Sequence, residues 1–359
     1  MFNVLAHLTE GKRNMATTTK TPSQAEAQNA APYGQVQRLV SVPNRPTAHV
    51  VSVSGGKDSA VTLALAVARC PAGSVFPIFC DTGNEHPLVY QYLDYLEGRF
   101  GIKIARLSND FAARIEAKRK FIARDQRIGR GPSGKKLRWT NKSKRRALEY
   151  LHPTGDQFLD LCLWKGRFPS RKAQFCTENL KKIPAVAFQM EKIDQGYNVI
   201  SWQGVRRDES HNRRNAKKIE RISERLYAFR PIVEWTAAQV FEYHAQNQIE
   251  PNPLYKMGMS RVGCLPCINV NKKELMQISE RFPSEIDRVS SWERLVSLTA
   301  KRGGATMMCG PTEERNPNVI FSLYNIRKRV EWARTAKNWN QYEMFPRADT
   351  CSSAYGLCE

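Results

Sequence analysis

The chain has 359 residues, with 56 Lys and Arg against 34 Asp and Glu, a net charge of +22. At 41% hydrophobic residues it holds enough apolar material for a core, which excludes a chain disordered throughout. It lacks both an apolar run of about 18 residues and a secretory signal pattern, so the expectation is a cytoplasmic protein with no membrane partner, and its charge calls for a polyanion.

Residues 1–46 read as a disordered tail, rich in Thr, Gln, Ala and Ser, with Met15 as an alternative start. Residues 49–54 form a β-branched run, read as a buried strand. Gly55 and Gly56 break it, and strong helix formers follow over 59–69. Val75–Cys80 reads as a second strand, Pro87–Phe100 as a helix and 102–107 as a third strand. Residues 114–146 then hold fourteen cations against Glu116 and Asp125, a local net charge of +12. Phe121 and Trp139 lie among them, a composition suited to DNA or RNA.

Further helices are expected over 158–164, 177–192 and Ala237–Gln246, with strands over 197–202 and 228–233. Helices over Lys272–Arg281, 284–301 and 321–338 complete the pattern. Strand and helix alternating with short links predict an α/β fold, a doubly wound parallel sheet with a helical C-terminal extension. The expected division is an α/β domain over 47–270 with a basic insert at 114–146, a helical region over 271–345, and a cysteine-containing tail over 346–359.

The sharpest motif is Ser54-Gly55-Gly56-Lys57-Asp58-Ser59, between a predicted strand and a predicted helix. Glycines there let the backbone approach a ligand closely. The unpaired first amides of the helix and its dipole favour an anion. Lys57 adds a full charge and Ser54 and Ser59 add hydroxyls, in a spacing that is not the Walker loop. Asp81 follows an apolar strand, so it lies at a carboxyl end, in reach of a ribose or a magnesium ion. Arg206 and Arg207 follow the fourth strand, where a bidentate phosphate clamp would sit. Glu85 and His86 open a helix and read equally as cap and as site.

Nine cysteines are present: Cys70, Cys80, Cys162, Cys176, Cys264, Cys267, Cys309, Cys351 and Cys358. The first three fall in predicted core elements and read as buried structural residues. Cys264-Leu265-Pro266-Cys267 is a CxxC in a Gly/Pro loop, open to a redox dithiol, zinc or an iron–sulfur cluster.

The first motif resembles the pyrophosphate-binding loop (PP-loop) of the adenine nucleotide α-hydrolase superfamily. Downstream, Asp81-Thr82-Gly83-Asn84-Glu85-His86-Pro87, residues 204–210 (GVRRDES), 231–236 (PIVEWT) and 252–255 (NPLY) resemble, in order, segments of the phosphoadenosine phosphosulfate (PAPS) reductase family. The ordered set spans about residues 48–268. The resemblance implies ATP or a sulfonucleotide (PAPS or APS), with Mg2+, held by Ser54, Gly55, Gly56, Lys57, Asp58, Ser59, Asp81, Thr82, Gly83, Arg206 and Arg207. Lys57, Asp58 and Arg206 become the expected catalytic residues.

Residues 175–184 resemble the segment that carries the first cluster cysteines of adenylyl-sulfate reductases, with Phe175 where one of a cysteine pair would stand. Cys176 lies 88 residues before Cys264. The resemblance thus implies a 4Fe-4S cluster on Cys176, Cys264, Cys267 and Cys309, with Cys351 or Cys358 as alternatives to Cys309 and zinc as the alternative metal. Two chemistries compete: reduction of a sulfonucleotide to sulfite, and ATP-driven activation of a nucleic acid for sulfur insertion, as in DNA phosphorothioation. The basic segment favours the second. So does the end of the chain, Tyr355-Gly356-Leu357-Cys358-Glu359, which departs from the reductases' Glu-Cys-Gly-Leu-His motif. The second chemistry implies a sulfur-donor protein. A non-catalytic nucleic-acid-binding protein that keeps the loop is the reading from another class.

Overall fold

The computed structural model describes residues 45–126, 129–130, 136–137 and 139–335. Cys351, Cys358 and the expected tails over 1–44 and 346–359 lie outside them. Five parallel strands form the sheet: β1 (Thr47–Ser52), β2 (Val75–Cys80), β3 (Ala105–Leu107), β6 (Asn198–Trp202) and β8 (Leu226–Phe229). A short β7 (Ile219–Arg221) adds antiparallel to β8. The order is β3-β2-β1-β6-β8-β7. The chain builds outward from β1 first on one side and then on the other, so a crevice opens between the ends of β1 and β6.

Alternating side chains give the sheet two buried faces. Val51, Phe79, Ile200, Trp202 and Phe229 belong to one core, which takes in α1 (Lys57–Arg69), α2 (Pro87–Phe100), α5 (Gln157–Lys165) and α7 (Ala237–Gln246). Val50, Ile78, Val199 and Leu226 face α6 (Ile183–Asp194) on the other side. His49 is buried on the opposite face, beside Trp202, and burial lowers its pKa to about 4. It is therefore neutral, and its Nδ1 accepts from Trp202 Nε1 at 3.2 Å.

The described part of the basic segment is mostly helix. α3 (Ala112–Arg124) and α4 (Asn141–Tyr150) flank a short hairpin, β4 (Gly129–Arg130) with β5 (Lys136–Leu137). Ile115, Ile122 and Ala147 are wholly buried. Several of the cations work internally. Lys118 Nζ donates to Leu163 O (2.7 Å), Arg119 Nη1 to Leu148 O and Leu151 O, and Arg146 to Leu298 O and Ala300 O. Burial lowers Lys118 to a pKa of about 8.

Beyond α8 (Pro253–Lys256), the C-terminal helices α9 (Lys272–Arg281), α10 (Pro283–Thr299) and α12 (Ile326–Arg334) pack back onto this core, while α11 (Pro317–Tyr324) buries no residue in it. The single helix expected over 321–338 is two, because Asn325 leaves helical geometry and its side chain caps α12 through Lys328 N. No described helix is long and apolar enough to cross a membrane.

Candidate active site

Residues 53–56 leave β1 at the crevice and turn directly into α1. Gly55 takes φ +81°, and a side chain there would meet Val89 Cγ1 at 2.8 Å. Gly56 precedes the helix and brings no capping side chain. The two serines hold the turn together: Ser54 N and Oγ each lie 3.1 Å from Ser59 Oγ, which donates to Gly56 O. The loop is also clamped from outside. Asn252 Nδ2 donates to Gly55 O, Tyr255 OH accepts from Lys57 N, and the His244 ring spans Lys57 O and Ile249 O. The segment 252–255 thus acts as the loop's backing.

Asp58 is wholly buried on the first turn of α1, bound to Lys57 Nζ at 2.8 Å and Arg206 Nε at 2.6 Å. Arg206 also reaches Asp208 and Trp235 O. The guanidinium expected to clamp phosphate is thus held by two carboxylates. Gly204 makes this contact feasible, since a Cβ there would lie 3.0 Å from the backbone of Asp58 and Ser59. Arg207, expected beside Arg206, turns to Ala216 O (3.0 Å) and Glu234. The reason is local: Arg206 is extended and Arg207 starts a 3-10 turn, so the two side chains diverge.

On the far side of β1, Asp81 ends β2. Its Oδ1 accepts from Gly83 N (2.9 Å) and Tyr90 OH (2.8 Å). Thr82 binds Glu85 twice, through N (3.0 Å) and Oγ1 (2.7 Å). His86 is the cap of α2, accepting from Leu88 N, whereas Glu85 points inward as a site residue. Burial pushes the Glu85 carboxyl up, with Lys181 and the Thr82 bonds opposing. The CxxC loop lies against this turn. Glu85 and Cys264 form a β-bridge, Leu265 N donates to Asn84 O, and Asn84 Nδ2 donates to Pro266 O.

A narrow cavity of about 50 Å³ opens here, and its walls include Ser54, Thr82, Glu85, Lys181 and Arg261. Cys176, Cys264 and Cys267 all line it, so the structure brings three of the four expected metal ligands together. Cys309 is not among them: it is exposed, and its thiol donates to Gly310 O. It sits after α10, and the fold carries that turn toward Arg329. Among the described residues no three His, Cys, Asp or Glu side chains are placed to hold a metal ion. Cys264 instead faces Glu85 Oε1 at 3.8 Å and Thr82 Oγ1 at 3.5 Å, and burial drives its thiol pKa well up. As arranged, the described side chains do not fit an assembled cluster or a zinc ion.

Lys57 and Arg206 border a second, more open cavity of about 360 Å³, with Glu209, Phe241 and Asn269. Arg261 lines both cavities. Sequence reasoning missed Lys181 and Arg261, and left Glu85 open between cap and site, where the structure turns it inward. Lys181 lies in the segment quoted for Cys176, where the helix widens to a π turn (Thr177–Lys182) before Pro184; Ile183 N–H reaches back to Glu178 O. Such turns often mark functional positions. Arg261 carried no signal beyond its closeness to the CxxC. Of the cysteines expected to be structural, Cys80 and Cys162 are buried, Cys70 is half-buried, and Cys80 also touches the cavity.

Comparison with known proteins places this geometry. The chain is 42% identical over 330 residues to an uncharacterized 37.8 kDa protein in the gpa 5' region of Escherichia phage 186, covering 87% of this chain and 97% of that one. It is 23% identical over 252 residues to a phosphoadenosine 5'-phosphosulfate reductase of Buchnera aphidicola, covering 70% of this chain and 83% of that one. The solved PAPS reductase of Candida auris, a phosphate complex, covers 68% of this chain and 97% of its own at 17% identity and a TM-score of 0.36. The model of the phosphoadenosine phosphosulfate reductase domain matches residues 48–270, more than half of the chain, which therefore belongs to the PAPS reductase family.

Proposed function

We propose that the protein is an adenine-nucleotide-using enzyme of sulfur chemistry, which uses ATP to activate a nucleic-acid oxygen for replacement by sulfur. The observation that carries this reading is the pair of cavities flanking the loop at 54–59, one lined by cysteines and one bordered by Lys57, with Arg261 in the wall of both. Two substrates that must meet at a phosphate need two such approaches. The acceptor oxygen attacks the α-phosphorus of ATP, the bond to the β-phosphate oxygen breaks, and pyrophosphate leaves. A sulfur nucleophile, brought by a donor protein, then displaces AMP together with the activated oxygen.

Lys57 and the positive end of the α1 dipole take the charge that grows on the leaving pyrophosphate. Asp58 and Arg206 hold Lys57 in place. Asp81, oriented by Tyr90 and Gly83, is the carboxylate for the ribose or for the magnesium ion that accompanies ATP. That ion would neutralise phosphate charge. A second reading, sulfonucleotide reduction to sulfite, is supported by the name of the Buchnera relative.

The test is pyrophosphate release from ATP, with and without DNA or RNA. Release stimulated by nucleic acid is expected. Sulfite formed from a sulfonucleotide and a thiol donor would replace this reading with the second. Nucleic-acid binding without either turnover would leave a binding protein.

A further inference from the structure

Three cations converge at the C-terminal end of α5. Lys165 Nζ lies 3.7 Å from the centre of a Trp164 ring, and Arg114 Cζ from α3 lies 4.7 Å from it. Phe111 stacks against the same indole at 6.0 Å and 23°. Lys165 and Arg167 both lie over Phe175, at 5.9 and 5.6 Å. Arg114, Lys165 and Arg167 are exposed, and none has a carboxylate partner among the described residues. Burial, then Arg114 and Arg167, lower the pKa of Lys165, so its charge stands against like charges. Rings hold these cations in place, while nothing described neutralises them. Phe175 adjoins Cys176, which lines the cysteine cavity.

The basic surface continues. Arg114, Phe121 and Arg124 share one face of α3, with Phe121 45% exposed between its neighbours Lys120 and Arg124. From Arg114 to Arg124 is about 15 Å along the helix, which is longer than one nucleotide's phosphates can cover.

We infer that Arg114, Lys165 and Arg167, held on Trp164 and Phe175, form a phosphate clamp for a single strand of nucleic acid, which then runs along α3. The strand's identity as acceptor rests on the function proposed above; the clamp itself rests on the geometry of five side chains. It lies outside most of the charge-rich segment, since four of the five follow residue 160. The phosphodiester backbone is held by charge, without reading sequence.

The experiment is fluorescence anisotropy of a labelled single-stranded oligodeoxynucleotide over a salt series, using the full chain. Lys165→Ala and Arg167→Ala are each expected to weaken binding several-fold. Each should also make the slope of log K against log salt shallower by about 0.7 per lost phosphate contact. Lys165→Arg should retain binding, and ATP affinity should stay at the wild-type value in all three. Inorganic phosphate and ATP serve as competitors: displacement of the strand by millimolar phosphate would mean a small-anion site and overturn the proposal. Wild-type binding by both alanine variants, a preference for duplex, or no binding by the wild type would also overturn it. Loss of binding in the variants, combined with no pyrophosphate release by the wild type on any nucleic acid, would keep the clamp and reject the proposed activity.

Discussion

Asp58 carries no exposed surface, yet it holds two cations at 2.6 and 2.8 Å. Removing one partner of a buried ion pair leaves an uncompensated charge, at a cost of about 3–5 kcal/mol. Asp58→Asn is expected to lower unfolding free energy on that scale, trimmed because Asp208 still meets Arg206; urea titration measures it. ATP affinity should fall with it, since Lys57 loses its anchor. At this scale the motif residues were readable, because a strand, two glycines and a helix start are contiguous in the chain. Arg206 shows the limit: its place after the fourth strand was legible, but its capture by Asp58 depends on a contact 148 residues away. Lys181 and Arg261 reach the cavity only through the fold, so no local pattern marks them.

Among the elements, α3 illustrates how charge hides a core helix. Its buried Ile115 and Ile122 sit seven residues apart among six exposed or half-exposed cations and acids, so the apolar period is faint. Ile122→Ala is expected to cost about 2–4 kcal/mol, whereas Lys120→Glu on the exposed face should move stability by about 0.5 kcal/mol or less. Thermal melts of both variants separate a structural helix from a solvated loop. In α10, Glu293 accepts from Met307 N and Ile326 N, both at 2.8 Å, and so fixes the turn after α10 and the start of α12. Burial raises its pKa from 4.5 to about 7. The folded state therefore binds this proton more tightly than the unfolded state. Its contribution to stability is full below pH 4.5, falls as pH rises toward 7, and is flat above. The total is of order 3 kcal/mol. Denaturant midpoints from pH 4.5 to 8 should show this fall, and Glu293→Gln should flatten it.

Over the whole molecule, the alternation of strands and helices announced a parallel sheet, and β2, α2, α7 and α9 keep the bounds expected of them. The antiparallel β7 escaped because Ile219–Arg221 has too few residues for a period. The C-terminal helices looked like an addition, but one of them reaches the centre. Arg288 on α10 donates to Gly83 O, Asn84 Oδ1 and Leu265 O, and so ties the turn after β2 to the CxxC loop. Arg288→Ala is expected to leave the sheet folded and to raise hydrogen exchange at Asn84 and Leu265 together; exchange raised at only one would mean the two loops are held separately. This single guanidinium works as a keystone set from outside the arch. Residues 48–270 define the family, yet the wall between Glu85 and Cys264 is fastened from residue 288. A fragment cut at the family boundary would keep the nucleotide loop and the direct bonds between the two turns but lose this outside strap, so the piece that marks the chain's ancestry is shorter than the piece that braces its cysteine wall.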